Sequence, residues 1–554
     1  MMASSGTVQQ AGREMNNLLH LGTDTDRPFT IESDSLTTHG VILGMTGSGK
    51  TGLAVACLEE LALAGVPCVV VDQKGDLARL MLAFPGLRAK QFEPWVDVRE
   101  ANAKSISCLE LAEKTAALWR KGIERTGQDV ERVERYGNSL QFRLYTPGQR
   151  IAPISVLSNL DRPEDNQNEA ATDVATSLIS MMARISDPER VRTYLSACVL
   201  ALWERSARVS LEDVAREAAS PSFGQIGVQS VDDYVSATDR RKIARALNTQ
   251  IASPSFKVWT SGPPLDPDSL LWQDGNPCMT ILSVAGLGEK DREFFLTTLL
   301  NNFKEWMLRQ SGSNGLRCML YIDEAHGVIP PNQQPPTKKP ALSILKQGRA
   351  FGLGLMLATQ NPADVDYKAL SNIGTWLIGR LNTDQDRSRL LDGLSNTGKD
   401  RAALDKSIAA LDRREFVCVS ARDNEPRAFA VRWCLSFIGG PLSSQHLERL
   451  AENNKDAPMP VYEPATLATI EEEDPDPRQS INYAQLRMMR RRMSRQRKAN
   501  KERRWIRWFV TVSLLSFLPF SPVQWGAAMV AILILLWYVW LGGPIRQYRN
   551  GKWM

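Results

Sequence analysis

No C-x-x-C pair occurs among the eight cysteines (57, 68, 108, 198, 278, 318, 418 and 434), and no apolar leader opens the chain, because Met1 to Arg27 is polar. Single scattered thiols, four of them (Cys68, Cys278, Cys318 and Cys418) inside apolar runs, argue against a metal cluster or a disulfide framework. They read as buried reduced side chains of a cytosolic protein. The missing apolar leader removes a secretory signal. A positive surplus is also missing from most of the chain. Fifteen Lys or Arg and one acid, Glu502, lie after residue 477, a net of +14; with +5 for all 554 residues, the first 477 carry −9. That body has no overall positive field to attract nucleic acid, and only a local basic lining could do so. The length exceeds one ordinary domain and predicts two or three structural units.

What is present begins at Val41-Ile-Leu43, an apolar run that breaks into Gly44-Met45-Thr46-Gly47-Ser48-Gly49-Lys50-Thr51. Glycines at 44, 47 and 49 let the backbone adopt positive φ and turn its amides inward, and the following Gly52 to Ala64 has strong helical character. Amides, helix N-terminus and Lys50 together suit the phosphates of ATP or GTP, with the Thr51 hydroxyl completing a Mg²⁺ shell. The strand before the loop and the helix after it are the context this spacing requires.

Apolar runs recur at Val66 to Asp72, Phe142 to Tyr145, Met279 to Ser283, Cys318 to Asp323, Leu353 to Thr359 and Trp376 to Gly379, with helical stretches between them. Strands apolar on both faces predict an α/β core with a doubly wound, mainly parallel sheet. From 153 to 264 the pattern is helical, with capping-box spacing at Ser210 to Asp213 and Ser230 to Asp233, and predicts an all-helical insertion. The expected organisation is a polar N-terminal segment (1–34), a first core part (35–152), the insertion, and a second core part ending in a hairpin (265–442). An acidic, Pro-rich linker (443–480), a basic helix (481–507), a transmembrane hairpin (508–543) and a basic tail (544–554) complete it.

Two acids end one of the apolar runs, Asp323 and Glu324. An Asp at a strand's carboxyl end can hold Mg²⁺, and a Glu beside it can take a proton from the attacking water. Gln360 ends the run Leu353 to Thr359, where its amide could meet a γ-phosphate. Arg349 could salt-bridge within its own domain or reach a neighbouring subunit's nucleotide. His326 reads as a scaffold residue.

Taken in order, Gly44 to Thr51, Val71-Asp-Gln-Lys-Gly75, Tyr321 to His326, Gln347 to Gly352 and Ala358-Thr-Gln-Asn-Pro362 resemble the HerA branch of the HerA/FtsK superfamily, across about residues 35 to 442. The resemblance implies a RecA-like, additional-strand P-loop NTPase fold with ATP and Mg²⁺. It also implies a ring, usually a hexamer, that threads double-stranded DNA, with Arg349 as the trans-acting finger and Gln360 as the sensor. A partner nuclease or effector belongs to the same expectation. The family's N-terminal β-barrel has no counterpart in the roughly forty residues before the loop, and the tail is foreign to it. Asp72 and Lys74 match the family's pattern, and a structural role suffices for them.

Eleven of the tail's basic residues fall between Arg487 and Arg507. As helices, residues 506 to 520 would span about 22 Å and Val523 to Leu541 about 28 Å, against a hydrocarbon core of about 30 Å, so the second reads as a membrane helix and the first as a short crossing or an interfacial helix. Positive flanks on both sides and an uncharged join at Pro519 to Gln524 predict a hairpin with both ends in the cytoplasm, anchoring the ATPase to the inner membrane. The basic stretch suits anionic lipid headgroups, and DNA phosphates are its alternative. The expected function is therefore a membrane-tethered ATPase that moves double-stranded DNA. The competing expectations are an assembly, secretion or defence ATPase acting on a protein, and a scaffold that binds ATP without turnover.

Overall fold

Short β-branched runs without polar alternation must be covered on both faces, and they pair side by side at the centre of the molecule. The computed structural model describes residues 17–452 apart from 26, 164–165, 183–186, 254–255, 382, 395–399 and 424, together with 548–549 and 552–553. Eleven strands run through one sheet: β1 (Leu18–Asp24), β2 (Arg27–Glu32), β3 (Gly40–Leu43), β4 (Cys68–Asp72), β5 (Gln141–Tyr145), β6 (Asn276–Ser283), β7 (Cys318–Ile322), β8 (Leu353–Thr359), β9 (Thr375–Gly379), β10 (Glu415–Ser420) and β11 (Arg427–Val431). Their order is β2-β1-β11-β10-β9-β3-β8-β7-β4-β6-β5, and the two-residue strand Trp272–Gln273 adds to β6. From β9 to β5 every pairing is parallel. From β9 to β2 every pairing is antiparallel.

Alternation along the central strands divides the core in two. Val41, Leu43, Val69 and Val71 join one buried cluster, and Ile42, Cys68 and Val70 join the other. Helices α1 (Lys50–Leu63) and α2 (Cys108–Arg125) supply side chains to the second cluster. Among the described residues, every cysteine except Cys108 is buried and all are unbridged.

Residues 153–264 fold mainly into helices, including α3 (Gln167–Met181), α4 (Pro188–Arg205), α5 (Leu211–Ala219) and α6 (Ala237–Ile251), plus a two-stranded ladder at Gln225–Ile226 and Gln229–Ser230. Ser210 and Asp213 cap α5 reciprocally. Ser230 caps a helix of only four residues, Val231–Tyr234. The insertion is tied to helix α7 (Glu289–Arg309) through buried Lys304, which meets Asp173 and, at 2.8 Å, Glu169.

Two segments differ from their sequence reading. The stretch read as a polar N-terminal segment contains β1 and β2, which extend the sheet's antiparallel side and bury Leu19, Leu21, Phe29 and Ile31. Period-two alternation was present there, diluted by polar neighbours. The stretch read as a linker from 443 begins with a helix, Ser444–Ala451, capped by Ser443. The expected linker beyond 452, basic helix and transmembrane hairpin lie outside the described residues; near the end only Tyr548–Arg549 and Lys552–Trp553 are described, paired antiparallel. Among the described residues no helix is long and apolar enough to cross a membrane.

One buried ion network locks the helix behind the glycine loop. Arg432 is fully buried and donates to Glu59 at 2.7 Å and Glu60 at 2.9 Å on α1, to the His20 carbonyl on β1 and to the Ala56 carbonyl. Glu59 also accepts from the Leu435 and Ser436 amides and the Ser436 hydroxyl, and Glu60 accepts from Arg132. Breaking a buried pair strands its partner charges, at a cost of about 3–5 kcal/mol. Arg432→Met is therefore expected to lower the unfolding free energy of the full chain by an amount in that range, read as a fall in the denaturant midpoint; an unchanged midpoint would refute the lock.

Candidate functional site

The parallel half of the sheet brings four strand ends together in the order β3, β8, β7, β4. Each ends in a residue with chemistry: the glycine loop after Leu43, Gln360 after Thr359, Asp323-Glu324 after Ile322, and Lys74 two residues after Asp72. Ligands of open parallel sheets bind outside these carboxyl ends.

The loop from Gly44 to Thr51 turns on glycine. Gly47 and Gly49 have φ of 83° and 106°, conformations that cost a side chain dearly, and Gly49 is also the residue preceding α1. A Cβ on Gly44 would stand 2.6 Å from the Ser48 hydroxyl, so the loop closes only without one. The Ser48 hydroxyl itself is buried without a hydrogen-bond partner. Met45 N donates to the Arg380 carbonyl and Arg414 N to the Ser48 carbonyl, each at 2.8 Å, which pins the loop from both sides. Gly47 faces open space. A glycine cradle with an open centre at a helix N-terminus suits a phosphate chain.

A hydrogen-bonded chain then crosses the strand ends. Thr46 Oγ1 donates to Gln360 Oε1 at 2.5 Å, and Gln360 Nε2 donates to Glu324 Oε1 at 2.7 Å. Lys74 meets the same carboxylate, and Lys50 Nζ lies 3.9 Å from it. Glu324 takes φ of 49°, unusual for a residue with a side chain, and is held by its own backbone: its carbonyl accepts from Gln73 Nε2 at 3.0 Å. Burial pushes the Glu324 carboxyl up, but Lys74, Gln360 and Lys50 outweigh it and hold it below the usual carboxylate range. It is thus an anion at neutral pH. Burial also raises Asp323, to about 6, against the pull of Lys74; Tyr321 donates to it at 3.1 Å. Lys50 is lowered by burial.

Asp72 has a structural task. Its carboxylate accepts the amides of Lys74, Gly75 and Leu77 and shapes the turn that carries Lys74 to Glu324. His326 is exposed.

The structure does not bring Arg349 to this site. It is exposed near the end of helix α8 (Lys338–Phe351), just before β8 begins, where it borders a depression with Thr37, Lys346 and Arg422. A seven-residue strand separates it from Gln360, about 20 Å of extended chain. Arg349 therefore lies at the opposite edge of the sheet from its own glycine loop.

Sequence reading missed part of the wall. The pocket at the loop, about 400 Å³ and within the usual size for a small-molecule site, is also lined by Lys74, Leu118, Arg413, Arg414 and Trp433. Lys74 matches the family's pattern, but its sequence gives it no more than a structural role. Nothing local marks Arg414 or Trp433, since both are set beside the loop by the antiparallel strands β10 and β11.

A glycine cradle facing tandem acids and a strand-end glutamine defines a P-loop NTPase. Residues 18–151 match the family described as "Helicase HerA, central domain". The DNA double-strand break repair helicase HerA of Sulfolobus acidocaldarius is 26% identical over 125 residues, 23% of this chain and 25% of that protein. The DNA import protein CedB of the same organism is 22% identical over 348 residues, 62% of this chain and 44% of that protein. VirB4 of Thermoanaerobacter pseudethanolicus is similar in structure with a TM-score of 0.43 at 12% identity, covering 75% of this chain and 96% of that one. The chain spans a quarter of the length of the HerA relative and under half of CedB. Residues 18–151 are thus similar to the HerA central domain, and the glycine cradle within them suits a nucleotide's phosphates with Mg²⁺.

Proposed function

We propose that this chain hydrolyses ATP as a member of a head-to-tail ring, six copies in the family's usual form, and couples turnover to the movement of double-stranded DNA. The observation that carries the reading is the split site: loop, base and sensor are joined by hydrogen bonds on one edge of the sheet, while Arg349 stands exposed on the other. A head-to-tail ring sets unlike edges against each other, so that each nucleotide would meet its neighbour's arginine.

In this reading the loop amides and Lys50 hold the phosphate chain, and Thr51 and Asp323 would hold Mg²⁺. The metal supplies charge neutralisation at the phosphates when bound. Glu324 accepts a proton from the attacking water, and Gln360, bonded to both Thr46 and Glu324, reports the state of the loop to the base. DNA as the substrate is supported by the names of HerA and CedB and by the five ordered motifs. Membrane tethering at the cytoplasmic face, with lipid contacts from the basic stretch, is supported by the sequence of residues 481–554.

The net charge of −9 over residues 1–477 favours a second reading, an ATPase that works on a protein partner. ATP turnover of the full chain in nanodiscs, with and without duplex DNA, separates them. Severalfold stimulation that weakens with added salt is expected for the motor. Indifference to DNA at every ionic strength would move the assignment to the protein-directed reading.

A further inference from the structure

The pocket at the glycine loop, about 400 Å³, is larger than a phosphate chain requires. One end is the loop; the other is a wall built from two distant parts of the chain, Leu118 on α2 and Arg413, Arg414 and Trp433 around the β10–β11 hairpin. We propose that this wall is the platform on which the base of a purine nucleotide stacks, with Arg414 and Leu118 as its contact residues. The inference rests on the nucleotide reading of the loop and extends it to the other end of the ligand.

Three observations carry it. First, the wall is registered to the loop by short bonds. Arg414 N donates to the Ser48 carbonyl at 2.8 Å, and Cys434 Sγ lies 3.3 Å from the Gly52 carbonyl in the first turn of α1. A Cβ on Gly49 would come within 3.2 Å of Arg414 Cα, so loop and wall are in backbone contact. A ligand whose phosphates sit in the loop has its remaining part beside this wall.

Second, the wall has stacking chemistry. The Arg414 guanidinium lies over the Trp433 ring, 4.8 Å from its centroid, and its Nη2 donates to the Arg432 carbonyl at 3.2 Å. A flat cation fixed against an indole is a ready surface for another flat ring. Trp433 is in turn braced edge-on by Trp119, with centroids 5.3 Å apart. Arg414 also takes φ of 71°, a conformation a side-chain-bearing residue seldom holds without a reason.

Third, the wall leaves apolar surface open. Leu118 is 53% exposed, the more exposed of the two open leucines of α2, and it borders the pocket. Its burial under a base would remove that surface from water. The side chains of the wall offer donors from Arg413 and Arg414 and no carboxylate or amide, so stacking, more than reading of the base edge, would supply the affinity.

The test compares ATP with inorganic tripolyphosphate, both with Mg²⁺, by equilibrium titration of the full chain. Leu118→Ser alters an exposed side chain, and Arg414→Gln keeps the backbone bond to Ser48, so both proteins are expected to fold. Each is expected to bind ATP about ten-fold more weakly and tripolyphosphate as the parent does. Lys50→Ala is expected to lose both ligands. Unchanged ATP affinity in both wall variants, or an equal loss of ATP and tripolyphosphate, would overturn the platform while leaving the loop reading intact. Failure of the parent to bind either ligand would overturn the loop reading and the platform with it.

Discussion

Glu324→Gln is expected to cut ATP turnover by about 10²- to 10⁴-fold, the contribution of a positioned general base, while ATP binding survives. The geometry states why. The carboxylate is fixed by Gln360 at 2.7 Å and by Lys74, and the Glu324 backbone is fixed by Gln73. Its cationic neighbours keep it ionised despite burial, so it is ready to accept a proton. Glutamine fills the same space and can still accept from Gln360, yet it cannot take the proton. Single-turnover phosphate release beside an ATP titration reads both halves. Turnover near the parent rate would remove Glu324 as the base. Loss of binding as well would show that the carboxylate shapes the phosphate cradle.

Arg349→Ala is expected to have the larger effect, about 10³- to 10⁵-fold on turnover, the range for an arginine finger, again with ATP binding spared. Arg349 is exposed and lies at the strand-start edge of its own sheet, so the substitution removes little local packing. Mixing provides the sharper measurement. In a ring that combines Arg349→Ala with Glu324→Gln chains, some sites pair an intact Glu324 with an intact Arg349 from the next subunit, and part of the activity is expected to return. Two inactive proteins that stay inactive when mixed would refute the shared site. A single Arg349→Ala protein with normal turnover would do so at once.

Much of this site is legible in the sequence, because its chemistry is local. Gly44 to Thr51 needs its residues adjacent, and Asp323-Glu324 and Gln360 each follow directly from a strand whose apolar character is plain. The parallel half of the sheet was legible for the same reason: runs apolar on both faces have only one stable place, between two layers of helices. The antiparallel half was harder. Apart from Gly22 at a register shift, β1 and β2 bury alternate residues, so the polar ones between them masked Leu19, Leu21, Phe29 and Ile31 in a stretch that averages as polar. Glu59 and Glu60, in the middle of an otherwise apolar helix, gave no sign of their partner, since Arg432 lies some 370 residues away in sequence and reaches them only through the fold.

By itself the sequence determined that a glycine loop with phosphate-binding spacing follows a strand, that an α/β core carries it, and that acids and a glutamine stand at strand ends, because each of those facts is written in neighbouring residues. Only the tertiary structure decided which of them meet. Strand order β3-β8-β7-β4 joined Thr46, Gln360, Glu324 and Lys74 into one hydrogen-bonded row and left Arg349 on the far edge. The antiparallel return of β10 and β11 brought Arg414 and Trp433 to the loop. Pairing order is set by which strands bury the most surface together over long loops, a global balance that no local run of residues records.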